Sequence, residues 1–481
     1  MKKKMLRFAI PFHISNYEEV NPEKNKTIEK FGWDRKHVIQ GESDLYDYIT
    51  DLVGDGDRNS IATSWKLPKE NYHKERFQTE ISMNKINWKL SDIGLLVFSD
   101  EIGILWYEVD VIGIIDKNQF LDFAYSLKEL SRGDNEKNYS LINIPVTGKE
   151  DAKYLELEQA NDTEIIEYKE IKQGAVVLCK RKVNLFQDIL FRYIRFLEID
   201  SFFSNRRKQN GKTLSPDRGI AFSWVYEVLE VKCETDAHDV VFHLGRNYRS
   251  SYEMTSNYKE NDFYEPFDDS IWYGSLEGCG NYTCPTKDKN FYNADYEKRL
   301  DIYYYIYLLC LGQYYSLLQL AQEVSMLPAD HRMYSVRNSI LEELMDKIHR
   351  FNLKNNYSQV GHLTQHNEFY KYLQNRLGIN KMQKELEVEL QSLYEMVDKK
   401  QKIRNAKRYK IITIISAIFV TIQTFANVSS MYESFVMKDW NQFCFGLAGI
   451  GVAAVFAVVI LLLGKLDDHL TDSNDRKHKR V

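Results

Sequence analysis

IITIISAIFVTIQTFANV, residues Ile411–Val428, carries no charged side chain. With its flanks it reaches the roughly 20 residues that a helix needs to cross the hydrocarbon core of a bilayer. A second uncharged and more uniformly apolar run, Phe443–Leu463, follows at once. A soluble core helix can imitate one such run, but two in tandem at the end of a polar chain predict a transmembrane hairpin. Lys399, Lys400, Lys402, Arg404, Lys407, Arg408 and Lys410 precede the first run, and Lys465, Arg476, Lys477, Lys479 and Arg480 follow the second. Between the runs stand only Glu433, Lys438 and Asp439. The excess of basic residues on both flanks predicts a multi-pass protein of the inner (cell) membrane with both termini cytoplasmic.

The two runs differ. In the first, Thr413, Ser416, Val420, Gln423, Thr424 and Asn427 fall on one helical stripe about 100° wide. Polar groups at membrane depth must face protein or water. The stripe therefore reads either as a pore lining or as hydrogen-bonding glue between packed helices. Two helices per chain hide it poorly, so both readings imply an oligomer. Val420, the apolar member, is placed to act as a dewetting constriction. The second run, with Gly446, Gly449 and Gly451, reads as the lipid-facing partner.

Outside these runs the chain is built for water. Charged residues are 28% of the 481, and the net charge of -5 gives no basic field for nucleic acid. Sixty-four Phe, Trp and Tyr favour a packed mixed fold over disorder. Six scattered cysteines, Cys179, Cys233, Cys279, Cys284, Cys310 and Cys444, lack zinc-ligand spacing and read as free thiols in a reducing compartment. MKKKMLRFAIPFHI at the start has no cleavage site and carries Arg7 and His13, so Leu6–Ile14 reads as a strand and not as a signal peptide.

Residues 1–295 read as a cytoplasmic α+β sensor domain, divisible near 150 into 1–150 and 151–295. Gly94–Ile115 shows two β-rich runs around a polar turn at Asp100 and Glu101, and Lys117–Leu130 has helical spacing. Val177–Leu178, Ile220–Val228 and Asp239–Leu244 read as strands, and Leu185–Phe203 as a helix. An antiparallel or mixed sheet backed by helices is expected. Residues 296–379 read as helical: Arg299–Met326 as a core helix, then Ser335–Phe351 and Glu368–Leu377. In residues 380–430, Met382, Leu386, Leu390, Leu393 and Val397 form a coiled-coil-like seam. With no Gly or Pro before the first span, Asn380–Asn427 predicts one stalk helix of about 72 Å. An outer loop (431–442), a second span (443–464) and a basic tail (465–481) complete the order.

This organisation resembles CorA-type cation channels, in which an α/β cytoplasmic domain and a long stalk helix lead into a pore-lining first span, a brief outer loop, a second span and a basic tail. The likeness covers roughly the last 190 residues by organisation and implies a CorA-like homo-oligomer, a homopentamer with the first span about its axis. The family's Gly-Met-Asn signature is absent. The equivalent stretch reads Thr424-Phe425-Ala426-Asn427, so only Asn427 matches. Without that turn, the oxygens that a hydrated Mg²⁺ needs are missing. Divergent CorA-like proteins without the signature resemble this chain further. They are membrane effectors of type III CRISPR antiviral defence, gated by a nucleotide second messenger such as an S-adenosylmethionine–AMP conjugate. The resemblance thus implies a ligand-gated channel or effector. The alternatives are a divalent-cation transporter and a membrane-anchored sensor or scaffold without a pore.

For a small nucleotide-like ligand, the best sequence candidate is Arg246, Asn247, Arg249 and Ser250, after Gly245, where two guanidinium groups and a hydroxyl could hold a phosphate. An ordinary polar loop is the competing reading. Arg206, Arg207 and Lys208, with Arg218, read as a solvated loop. No enzyme motif is present, neither a phosphate loop, a dinucleotide fingerprint, a zinc-protease helix nor a nucleophile elbow. No cofactor or metal ligand set is assigned, and His13, His243 and His362 read as structural.

Overall fold

In Lys2–Ile14 apolar residues recur at every second position, and Leu6, Phe8, Ile10, Phe12 and Ile14 are all buried. A period of two puts these side chains on one face of an extended strand. In the computed structural model this strand is central to a large sheet. The structure describes residues 2–20, 27–38, 44–51, 53–54, 61–81, 84–98, 100–128, 137–146, 163–171, 174–202, 218–227, 234–253, 262–285, 296–325, 334–355, 357–437 and 451. The chain divides into two compact units, Met1–Leu327 with Glu343–Glu387, and Pro328–Glu342 with Val388–Val481.

Among the described residues fifteen strands make up one mixed sheet. Its main path runs Tyr264–Phe267, Ser270–Gly274, Gly278–Thr283, Ile220–Glu227, Lys2–Ile14, Ile102–Ile112, Asn84–Phe98, Arg76–Ile81, Lys137–Val146, Gly174–Lys182, Thr163–Ile171. Most neighbours are antiparallel, whereas Ile220–Glu227 and Gly278–Thr283 run parallel. The expected hairpin is present, with Asn84–Phe98 paired to Ile102–Ile112 and Glu101 at a φ of 65° in the turn.

The face carrying Leu6, Phe8 and Ile10 packs with the helices Lys117–Lys128 and Glu234–Arg246, through Phe120, Phe123, Leu127, Val240, Val241 and Leu244. On the other face lies the tyrosine-rich helix Tyr296–Ser325. Its Tyr304 ring meets Trp106 edge-on at 5.8 Å, and the Arg7 guanidinium sits 4.8 Å from the same ring. Arg7 also pairs with its cross-strand neighbour Glu108 at 2.5 Å and with Asp301 at 2.7 Å. Burial alone would raise the Glu108 carboxyl. Arg7, with a hydrogen bond from Ser91, outweighs it and holds the group below the usual carboxylate range.

Two expectations are corrected. Asp239–Leu244 is not a strand but part of the Glu234–Arg246 helix, whose buried Ala237, Val240, Val241 and Leu244 recur at helical spacing. Leu185–Phe203 is not one helix. It holds a single π turn at Leu185–Leu190, a 3-10 turn at Phe191–Tyr193, and the strand Ile199–Ser201 paired to Lys2–Ile14.

Beyond the sheet, Tyr296–Ser325, Tyr334–Asn355 and Thr364–Leu377 are helices, close to the expected bounds. Thr364–Leu377 stops at Gly378, whose φ of 71° lets its N–H reach the carbonyls of Asn375 and Gln374. Arg376, two residues earlier, donates to the Gly274 carbonyl at 2.9 Å, Asp262 at 2.7 Å and the Tyr273 hydroxyl at 3.0 Å. The next helix begins at once and is uninterrupted over Ile379–Val436. It passes the boundary expected at 430, so the segment read as an outer loop over 431–442 opens with helix. The second run, 443–464, and the tail, 465–481, lie outside the described residues apart from Gly451.

Candidate functional site

Within the long helix, Asn405–Glu433 is long and apolar enough to cross a membrane. Its most apolar stretch has a mean hydropathy of 1.9 and is 0% buried. Ile412, Ile414, Ile415, Phe419 and Phe425 are exposed, whereas Thr413, Ser416, Val420, Thr424 and Asn427 are half-buried. The described helix thus keeps the sequence stripe on one face, although Gln423 at its margin is exposed. The Thr413 and Thr424 hydroxyls donate to the carbonyls of Tyr409 and Val420 one turn back, at 2.8 and 2.7 Å. Bonded this way, a hydroxyl can sit in an apolar medium without a second partner.

The phosphate candidate at Arg246–Ser250 follows a helix and not a strand. Arg246 reaches Glu277 at 3.3 Å, and the Arg249 guanidinium stacks 4.8 Å from the Tyr125 ring. The Ser250 N–H donates to Asp122 at 2.8 Å. Asn247 is buried at a φ of 50°, with both side-chain polar atoms lacking a hydrogen-bond partner. A Cβ on Gly245 would lie 2.2 Å from the Tyr273 carbonyl oxygen, so this glycine serves close helix-to-strand packing. The four residues stay near one another in the chain, but both guanidinium groups are engaged by protein. Arg206, Arg207 and Lys208 lie outside the described residues.

A different place gathers more cations. The strands Arg76–Ile81, Lys137–Val146 and Gly174–Lys182 lie side by side, and residues 183–195 turn back beside them. Together they border a groove of about 940 Å³. Asn184 shapes the turn, its side chain accepting from the Gln187 N–H at 2.9 Å while Asp188 accepts from the Asn184 N–H at 2.6 Å. Five cations line the groove, Lys74, Arg76, Arg181, Arg192 and Arg195, against two acids, Glu75 and Asp188. Arg192 pairs with Glu75 and the Tyr193 hydroxyl. Burial pulls its guanidinium down, and these two partners more than reverse that. Arg76 donates to the carbonyls of His73 and Glu75 at 2.9 and 3.0 Å. Sequence reading missed this groove because its cations stand in three distant segments.

Cys179, Cys279, Cys284 and Cys310 are buried and joined in no disulfide, and burial pushes the Cys279 and Cys310 thiols up. Among the described residues no three His, Cys, Asp or Glu converge as metal ligands. The chain matches no family model, no curated protein and no solved structure.

Proposed function

We propose that this chain is a ligand-gated membrane effector, in which the sheet-rich unit is the sensor and the Ile379–Val436 helix carries the response to the bilayer. The supporting observation is the single helix that leaves the Gly378 corner and continues without a break into an exposed, uncharged, span-length segment. A ligand that binds one state of the sensor better shifts the equilibrium of whatever the helix is joined to. In this reading the chain crosses the cell membrane twice, through the long helix and the 443–464 run, with both termini cytoplasmic. Copies assemble as a CorA-like homopentamer, with Thr413, Ser416, Val420, Gln423, Thr424 and Asn427 around the path. The ligand is a small nucleotide messenger of the kind the CRISPR-effector resemblance implies. A divalent-cation transporter is the less supported reading, given the missing Gly-Met-Asn turn.

A pore-free anchored sensor has one observation in its favour, the Thr hydroxyls bonded back within the helix, which need no water. Ion flux through the purified protein in liposomes, with and without nucleotides and at varied Mg²⁺, decides among the three. Flux appearing only with nucleotide supports the gated effector. Mg²⁺ flux without nucleotide makes the chain a transporter, and silence from folded, oligomeric protein makes it an anchor.

A further inference from the structure

No charged residue lies between Lys410 and Glu433 of the long helix. At 1.5 Å per residue the two stand about 34 Å apart along the axis, against about 30 Å of hydrocarbon in a bilayer. Lys410 therefore marks the cytoplasmic edge of the hydrocarbon. Lys407 and Arg408 lie within about 5 Å of it along the axis, in the layer of lipid headgroups. All three side chains are exposed. At 100° per residue they point about 90–150° away from the centre of the Thr413–Asn427 stripe. Asp398 and Lys402, by contrast, fall within about 30° of that centre. These two pair with each other at 2.8 Å. The side of the helix that continues the stripe thus carries a neutralised pair. On the other sides stand Lys407, Arg408 and Lys410, none of which is in an ion pair among the described residues.

Cations at that depth meet the phosphates of the cytoplasmic leaflet, where an acidic lipid adds a net negative charge that a zwitterionic one lacks. The Lys stems are long enough to lie along the apolar edge while their ammonium groups stay among the headgroups. A guanidinium takes two phosphate oxygens in parallel bonds, and an ammonium acts as a point charge beside it. The opposite setting of the helix is unfavourable twice over. It would turn the polar stripe toward lipid, and it would crowd these cations from neighbouring copies together inside the assembly. We infer that Lys407, Arg408 and Lys410 form a binding site for acidic phospholipid headgroups of the cytoplasmic leaflet. Lipid held there fixes the rotational setting of the helix, so that the Thr413–Asn427 stripe faces away from the lipid.

The inference rests on the membrane reading, though not on a pore. The test is electron spin resonance of the full chain in phosphatidylcholine vesicles that carry a trace of spin-labelled phosphatidylglycerol or spin-labelled phosphatidylcholine. The protein immobilises the labelled lipid it touches, and the ratio of the two association constants reads its preference. Phosphatidylglycerol is expected to be preferred by roughly fivefold or more at low salt. The preference should fall away at about 1 M salt, where charge acts over only about 3 Å. Lys407→Gln with Arg408→Gln and Lys410→Gln should bring the ratio down to about one. Lys399, Lys400, Lys402 and Arg404 remain in that variant, so its basic flank and orientation are kept. Lys402→Gln, on the paired side, should leave the ratio as it was. Equal immobilisation of both lipids by the native chain would overturn the inference and leave the span standing. So would a preference that survives the triple substitution or high salt, or one lost as fully in Lys402→Gln. No immobilised lipid of either kind would remove span and inference together. Vesicles that pass no ions while phosphatidylglycerol is still preferred would remove the channel and leave the lipid site.

Discussion

Two helices of this chain look alike by composition and live in opposite surroundings. Tyr296–Ser325 is apolar and almost wholly buried, and Asn405–Glu433 is apolar and exposed. The difference shows in how each treats its polar atoms. In the first, side chains reach across to other elements: Gln313 donates to the Tyr370 hydroxyl at 2.7 Å, and Tyr305 donates to the Ile49 carbonyl at 2.5 Å. In the second, Thr413, Thr421 and Thr424 turn back on their own helix. A helix solvated by protein binds its neighbours, whereas a helix suited to lipid satisfies itself.

The largest expected effect breaks this contrast from the exposed side. Ile415→Lys with Phe419→Lys puts two charges in mid-segment, each costing about 3 kcal/mol at the bilayer centre. The doubly substituted chain should leave the carbonate-resistant membrane fraction; if it stays there, the segment is not a span. Next, Leu309→Ala in the buried helix should lower stability by about 2–5 kcal/mol in urea titrations of the micellar protein. Ile414→Ala on the exposed helix should leave that curve unmoved, and equal losses would erase the distinction.

A smaller effect sharpens the comparison through pH. His366 packs edge-on against Tyr303 of the buried helix at 5.4 Å. Burial, with the Arg299 charge adding to it and Asp44 opposing, holds the imidazole down at about 4. The unfolded chain takes up this proton near pH 6.5, and the folded chain waits until about 4. The folded state is therefore favoured in full above pH 6.5 and loses on the order of 3 kcal/mol as pH falls to 4. His366→Phe should flatten the stability curve in that window, and an unchanged slope would place the proton elsewhere.

The readable parts of the sequence were those where one periodicity dominates. Large apolar side chains recur at every second position from Leu6 to Ile14, the polar turn at Asp100 and Glu101 separates two β-rich runs, and the uncharged stretch at Ile411–Val428 announces itself by length. Asp239–Leu244 was misread because DVVFHL is too short to separate a strand from a buried helix by period. What decides it is the packing of Val240 and Leu244 against the sheet. Leu185–Phe203 failed for a related reason: its apolar residues have helical spacing, but Ile199 opposes Ile14 across a sheet ladder. The groove left no mark in the sequence at all. Phe77, Ser140 and Arg181 become cross-strand neighbours only because the strand order places Lys137–Val146 between the other two.

Gly378 gives the long helix a defined origin, pinned on the near side by the three bonds of Arg376. From there to Val420 the helix rises about 62 Å at 1.5 Å per residue. Treated as a rigid arm swinging on that corner, a tilt of only about 5° would carry Val420 sideways by roughly 5 Å, about one helical pitch. An adjustment at the pivot no larger than a side chain exchanging hydrogen-bond partners is thereby magnified along the length of the helix.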